Sequence, residues 1–155
     1  MRKTLLLIAI SMAMVGCNNS AKKSMSAYYV YTEDIPLVGI DYQCGTQKGI
    51  TDENGRFTFK KGDDCQFKVG DVKLRYTYSQ ELRDGMLLEE DNKSVVKFLK
   101  ALSEKKNAIY ISKETKRALE VLKIKEIPNS DVIFQVTIDA INNYQKSYKK
   151  LLSSI

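Results

Sequence analysis

From Arg56 to Tyr76 polar and apolar residues alternate, and glycine-bearing turns interrupt the alternation at short intervals. A strand presents successive side chains to opposite faces, so a period of two marks a half-buried strand. Arg56-Phe57-Thr58-Phe59-Lys60 is one such strand. Cys65-Gln66-Phe67-Lys68-Val69 is a second, with Cys65, Phe67 and Val69 on one face, and Val72, Leu74 and Tyr76 continue the pattern in a third. Lys61-Gly62-Asp63-Asp64 and Gly70-Asp71 turn the chain between them. Upstream, Asp52-Glu53-Asn54-Gly55 has the chemistry of a turn, because asparagine and glycine accept positive φ. It follows a short strand, Gly49-Ile50-Thr51, and a turn from Gly45 to Lys48. A further strand through Leu37, Val38, Ile40 and Tyr42 is opened by Pro36, which is tolerated at a strand start. Residues 35–78 are therefore read as an antiparallel β module, a meander or a small sandwich.

The first residues set the compartment in which that module folds. Arg2 and Lys3 precede an apolar run from Leu5 to Val15 that only Ser11 interrupts. The run is short for a bilayer, which needs about 20 residues, and polar Asn18, Asn19, Ser20 and Lys22 follow it. A charged start, an apolar centre and small residues at the end describe a signal peptide over residues 1–16. Its end, Met14-Val15-Gly16-Cys17, resembles the bacterial lipobox, with Met14 where that pattern usually has leucine. The resemblance implies cleavage after Gly16, diacylglycerol on Cys17 and an acylated new amino terminus. Several acyl chains on one residue anchor a protein stably. Asn18, where aspartate would resemble the inner-membrane retention signal of enteric bacteria, points to the outer membrane. Residues 17–34 are read as the lipidated N-terminus and a tether. Tyr28, Tyr29, Val30 and Tyr31 break the polar character of that stretch. They fit either the membrane interface, where amphipathic rings gather, or a first edge strand.

Beyond the inner membrane the environment oxidises thiols. With Cys17 lipidated, Cys44 and Cys65 remain, an even pair that reads as a disulfide. The chain has no histidine, so a zinc site lacks ligands, and no CxxC redox motif is present. The formal charge of +6 falls by two when Arg2 and Lys3 leave with the signal, to about +4 in the mature side chains. This mild excess is spread along the chain, without the clustered basic stripe of a nucleic-acid binder. The expected partners are the membrane, through the lipid anchor, and an envelope protein or glycan. No nucleic acid, cofactor or metal is expected.

Residues 79–92 form a polar connector. From residue 93 apolar residues follow helical spacing. Ser94 is the expected N-cap of a first helix, with Val95, Val96, Phe98, Leu99 and Leu102 on its buried face. Asn107 to Ile111 is a short extended link, and Ser112 caps a second helix with Glu114 in its first turn. After Ile127-Pro128, Asn129 or Ser130 caps a third, whose spacing of Val132, Ile133, Val136, Ala140, Ile141, Tyr144, Tyr148 and Leu151 runs to the terminus. The valines and isoleucine at its start also admit a strand over 132–138. The fold class expected is α+β: a small disulfide-pinned antiparallel β module followed by about three helices over residues 93–155. The last helix is expected to cover one face of the sheet.

Gly39, Tyr42, Cys44, Gly49, Thr51-Asp52, Gly55, Phe57, Phe59, Gly62, Cys65, Phe67, Gly70 and Leu74 follow the pattern GxxYxC…GxTDxxGxFxF…GxxxxFxxGxxxL. It resembles a short module of Gram-negative surface lipoproteins of the accessory-colonisation-factor type, and is similar in outline to carboxypeptidase-regulatory-like β domains. Ser94 to Leu102, Asn107 to Ser112 and Ala118-Leu119 match the segment that follows the module in such proteins. The resemblance implies a fold and an envelope setting, and carries over no catalytic residue.

The residues agree with that silence about catalysis. Without histidine there is no Ser-His-Asp or Cys-His arrangement. The acid pairs Asp52-Glu53 and Asp63-Asp64 lie in turns, and Glu89-Glu90-Asp91 lies in the connector, where solvated acids are expected. Asp52-Glu53-Asn54-Gly55 lacks the further ligands of a calcium loop. Nine tyrosines and no tryptophan leave one aromatic candidate. Tyr28, Tyr29, Tyr31, Tyr76 and Tyr78 are its members, with Tyr76 and Tyr78 on one side of a strand, and they read either as a ligand-binding platform or as core and edge packing. The expected function is an outer-membrane lipoprotein, a non-enzymatic structural or binding component of the cell envelope. A pilotin-like assembly factor and a glycan- or peptidoglycan-binding module are the alternatives.

Overall fold

The computed structural model describes residues 23–105 and 108–155. Among the described residues nine strands form two sheets, and three helices occupy the C-terminal part with the last strand between the first two, so the chain is α+β with the disulfide in its strand region. The first sheet holds β1 (Ser24–Thr32), β2 (Ile35–Val38), β5 (Arg56–Lys60), β8 (Leu87–Glu89) and β9 (Ile109–Tyr110). The second has the order β4 (Gln47–Ile50), β3 (Asp41–Cys44), β6 (Cys65–Val69), β7 (Val72–Thr77), antiparallel throughout. The sheets meet through aromatic rings: Phe67 of the second lies 4.5 Å from Tyr29 and 4.9 Å, edge-on, from Phe57 of the first.

The stretch read as a tether is, from Ser24 on, the central strand of the first sheet. Tyr28 pairs with Arg56 on one edge and Leu87 on the other; Val30 pairs with Pro36 and Glu89. Thus β5 and β2 share one edge of β1 in succession and β8 takes the other. Ala27 and Tyr29 are fully buried, so the aromatic cluster is core strand rather than membrane contact or edge. Gly55 sits where β5 gives way to β2. Its φ is +74° and a Cβ there would lie 2.3 Å from the Tyr29 carbonyl oxygen, so only glycine fits.

The Thr51–Gly55 stretch is a built turn. The Thr51 hydroxyl accepts from the Ile40 amide and donates to the Leu37 carbonyl. The Asp52 carboxylate accepts from the Asn54 and Arg56 amides, both at 2.9 Å. Its acid is consumed by the backbone, as turn chemistry predicts.

The connector contributes β8, parallel to β1, and β9 runs parallel to β2. Helix α1 (Lys93–Leu102) is capped by Asn92, whose side chain accepts from the Ser94 and Val95 amides, rather than by Ser94 itself. Asparagine is as good a cap as serine, and its extended backbone places it one step outside the first turn. Helix α2 (Lys113–Val121) is capped by Ser112 and α3 (Asp131–Leu152) by Ser130, as the sequence indicates. The start of α3 is helical, not strand. It packs along α2, sets Phe134 edge-on to Phe98 of α1 at 6.4 Å, and ties to α2 where Gln145 donates to Thr115. Its main contacts are therefore helical, and the expected cover over a sheet face is not what it provides.

Candidate binding face

The predicted disulfide is present. Cys44 and Cys65 stand directly opposite on β3 and β6, with Cα atoms 4.1 Å apart, and both are fully buried. Cys17 lies outside the described residues.

Tyr76 and Tyr78 come together on the surface. Their rings are 5.2 Å apart and edge-on, and the residues are 54% and 56% exposed. Strict alternation would place Tyr76 beside Val72 and Leu74, both buried. Instead β7 carries an extra residue: Phe67 pairs with Arg75 but Lys68 pairs with Lys73, so Leu74 is the bulge. A bulge re-aims the side chains beyond it. Arg75 turns inward and Tyr76 outward. Asp64, in the turn before β6, fixes the pair. It accepts from the Ser79 amide at 2.7 Å and from the Tyr76 hydroxyl at 2.8 Å. The amide first, then the hydroxyl, holds its carboxyl below the ordinary 3.8, and the same contact raises the Tyr76 phenol.

The register extends this pair into a row. Tyr76 faces Gln66, Gln66 faces Gln43, and Gln43 faces Lys48, crossing all four strands on the outer face of the second sheet. At about 4.8 Å between strands the row is roughly 14 Å long. It offers an aromatic face, two amides with both donors and acceptors, and a cation. Sequence reading located the tyrosines but not the row, because cross-strand neighbours follow from register and not from spacing along the chain.

One acid read as solvated is buried. Glu90, only 3% exposed, accepts hydrogen bonds from the Tyr29 hydroxyl and from the Asn92 amide at 2.9 Å, with the Arg75 guanidinium 4.0 Å away. Burial first, then the adjacent carboxylate, holds the Tyr29 phenol well above its ordinary 10.0. Glu90 borders a cleft of about 660 Å³ beside α1. Both its oxygens are engaged by the protein, and its neighbour Asp91 has a side chain 92% exposed. This is a knot joining β1, β7, β8 and the cap of α1. The signal for it in sequence was slight: one acid next to a helix cap.

Among the described residues no three acids or cysteines come together to hold a metal ion, and no helix is long and apolar enough to cross a membrane. No family model matches the chain, and no curated protein and no solved structure matches it.

Proposed function

We propose that this chain is an outer-membrane lipoprotein, anchored by acyl chains on Cys17, whose domain is a non-catalytic binding module for envelope glycan. The observation that carries the reading is the open row Tyr76–Gln66–Gln43–Lys48 ending in an exposed tyrosine pair. A sugar ring has an apolar C–H face that packs on an aromatic ring and hydroxyls that pair with amides and carboxylates. The engaged oxygens of Glu90 and the turn-bound Asp52 and Asp64 argue for binding rather than catalysis. The signal-like opening, the lipobox resemblance and the buried disulfide support an exported protein in an oxidising compartment.

The test is co-sedimentation of the detergent-extracted protein with purified peptidoglycan sacculi. Wild type is expected to pellet with sacculi, and Tyr76→Ala/Tyr78→Ala to lose about thirtyfold in affinity, since each stacked ring contributes roughly 1 kcal/mol. Equal pelleting by both proteins, or by neither, removes the support for glycan binding.

A second reading has its own observation. On α3 Val132 and Val136, one turn apart, are 76% and 64% exposed, and Ile133 is exposed beside them. An apolar helix face of this kind suits an assembly factor that escorts another envelope protein.

A further inference from the structure

The excess positive charge is not spread over the folded domain as it is along the chain. Beyond the Lys48 end of the row lies a groove of about 600 Å³ between the second sheet and α2. Lys48 from β4, Lys68 from β6, and Lys113 and Arg117 from α2 line it and are exposed. A fifth cation, Lys116, is buried and spoken for, its ammonium 2.7 Å from the Asp41 carboxylate. Glu120 is the second acid of the lining. Five cations against two carboxylates leave a local excess of three, half the formal charge of the whole chain.

The pairing within the groove sharpens this. Asp41 stands opposite Lys68 across the strands, yet its carboxylate goes to Lys116 on α2. That bond clamps α2 to the sheet and leaves Lys68 without its cross-strand acid. Among the described residues Lys48, Lys68, Lys113 and Arg117 have no carboxylate within ion-pair distance. Arg117 instead rests over the Tyr148 ring at 5.4 Å. Free cations therefore rise from two facing walls, which repel each other across the gap until an anion enters. Compact ammonium groups act on phosphate as point charges, and walls of this kind suit more than one anionic group at once.

We propose that this groove is an anion site and that the ligand of the outer face is a saccharide bearing phosphate groups, seated between Lys48 and Lys68 on the sheet and Lys113 on α2. The saccharide part rests on the glycan reading; the anion site does not. Gln43 and Lys48 belong both to the row and to the groove, so a ligand passing along the row arrives between the cations.

The experiment is a chemical-shift titration of the detergent-solubilised chain with inositol hexakisphosphate as probe. Shifts are expected at Lys68, Gly70 and Lys113, and Lys68→Gln/Lys113→Gln is expected to weaken binding about tenfold, more so at low salt. Lys149→Gln/Lys150→Gln, which removes the same charge from the end of α3, is expected to leave affinity within about twofold. Equal losses in the two variants, or no groove shifts with either the probe or phosphatidylglycerol, overturn the anion site. Tyr76→Ala/Tyr78→Ala separates the two readings. Retained probe binding by this variant leaves the groove standing, whichever way the sacculus experiment falls. A final arm replaces the probe with phosphatidylglycerol in the micelles. Groove shifts that appear only in this arm assign the site to a lipid headgroup and overturn the saccharide.

Discussion

Glu90→Ala is expected to lower the unfolding free energy by about 3 kcal/mol, in a domain whose total is of order 10 kcal/mol. The acid makes two hydrogen bonds out of reach of water, to Tyr29 and to the Asn92 amide, and faces Arg75. Truncation strands the Tyr29 hydroxyl inside the core and loosens the capping segment of α1. Arg75 suffers less, because it also donates to the Glu89 carbonyl at 2.8 Å and lies 3.8 Å from Asp91. Glu90→Gln, which still offers Tyr29 an acceptor, recovers part of the loss. Equilibrium unfolding in urea measures both; a loss for Glu90→Ala below about 0.5 kcal/mol contradicts the knot. The network also sets an alkaline limit. The Tyr29 proton is held more tightly in the folded state than in the unfolded chain. Its contribution is thus complete below pH 10.0 and drains away as pH rises above that value.

Removing the disulfide has a comparable effect by another route. Cys44→Ala/Cys65→Ala opens a loop with a sequence separation of 21, and the chain-entropy estimate for such a loop is about 3 kcal/mol. The cross-link joins the two middle strands of the second sheet, next to the turn whose Asp64 positions Tyr76. Its loss is expected to shift the urea midpoint strongly, while the untreated folded protein resists mild reductant, since both cysteines are fully buried. An unchanged midpoint for the double variant contradicts this, as does quick reduction without unfolding.

The residues that announced themselves were those whose roles are local. The turn at Asp52–Gly55, the alternation of β5 and β6 and the serine caps of α2 and α3 follow from neighbours a few positions away, and the cysteine pair from simple counting. What escaped depends on remote partners. Besides its hairpin with β2, β1 pairs with two strands more than twenty residues later, and nothing within Tyr28–Tyr31 records that both its edges are occupied. β8 and β9 have three and two residues, too few to show a period. The bulge at Leu74 is a backbone event, and with it the outward turn of Tyr76 that completes the row across the second sheet. Glu90 reads as solvated until Tyr29 is brought against it. The basic groove draws on β4, β6 and α2, whose lysines look evenly scattered in the linear chain.

The proposed envelope setting requires acyl chains on Cys17. The direct measurement is metabolic labelling with a radioactive fatty acid, followed by membrane fractionation, for wild type and Cys17→Ala. Wild type is expected to carry label and sediment with the outer membrane, while the variant carries none and leaves that fraction. Unlabelled wild type, or a variant that fractionates as wild type does, contradicts lipid anchoring at Cys17.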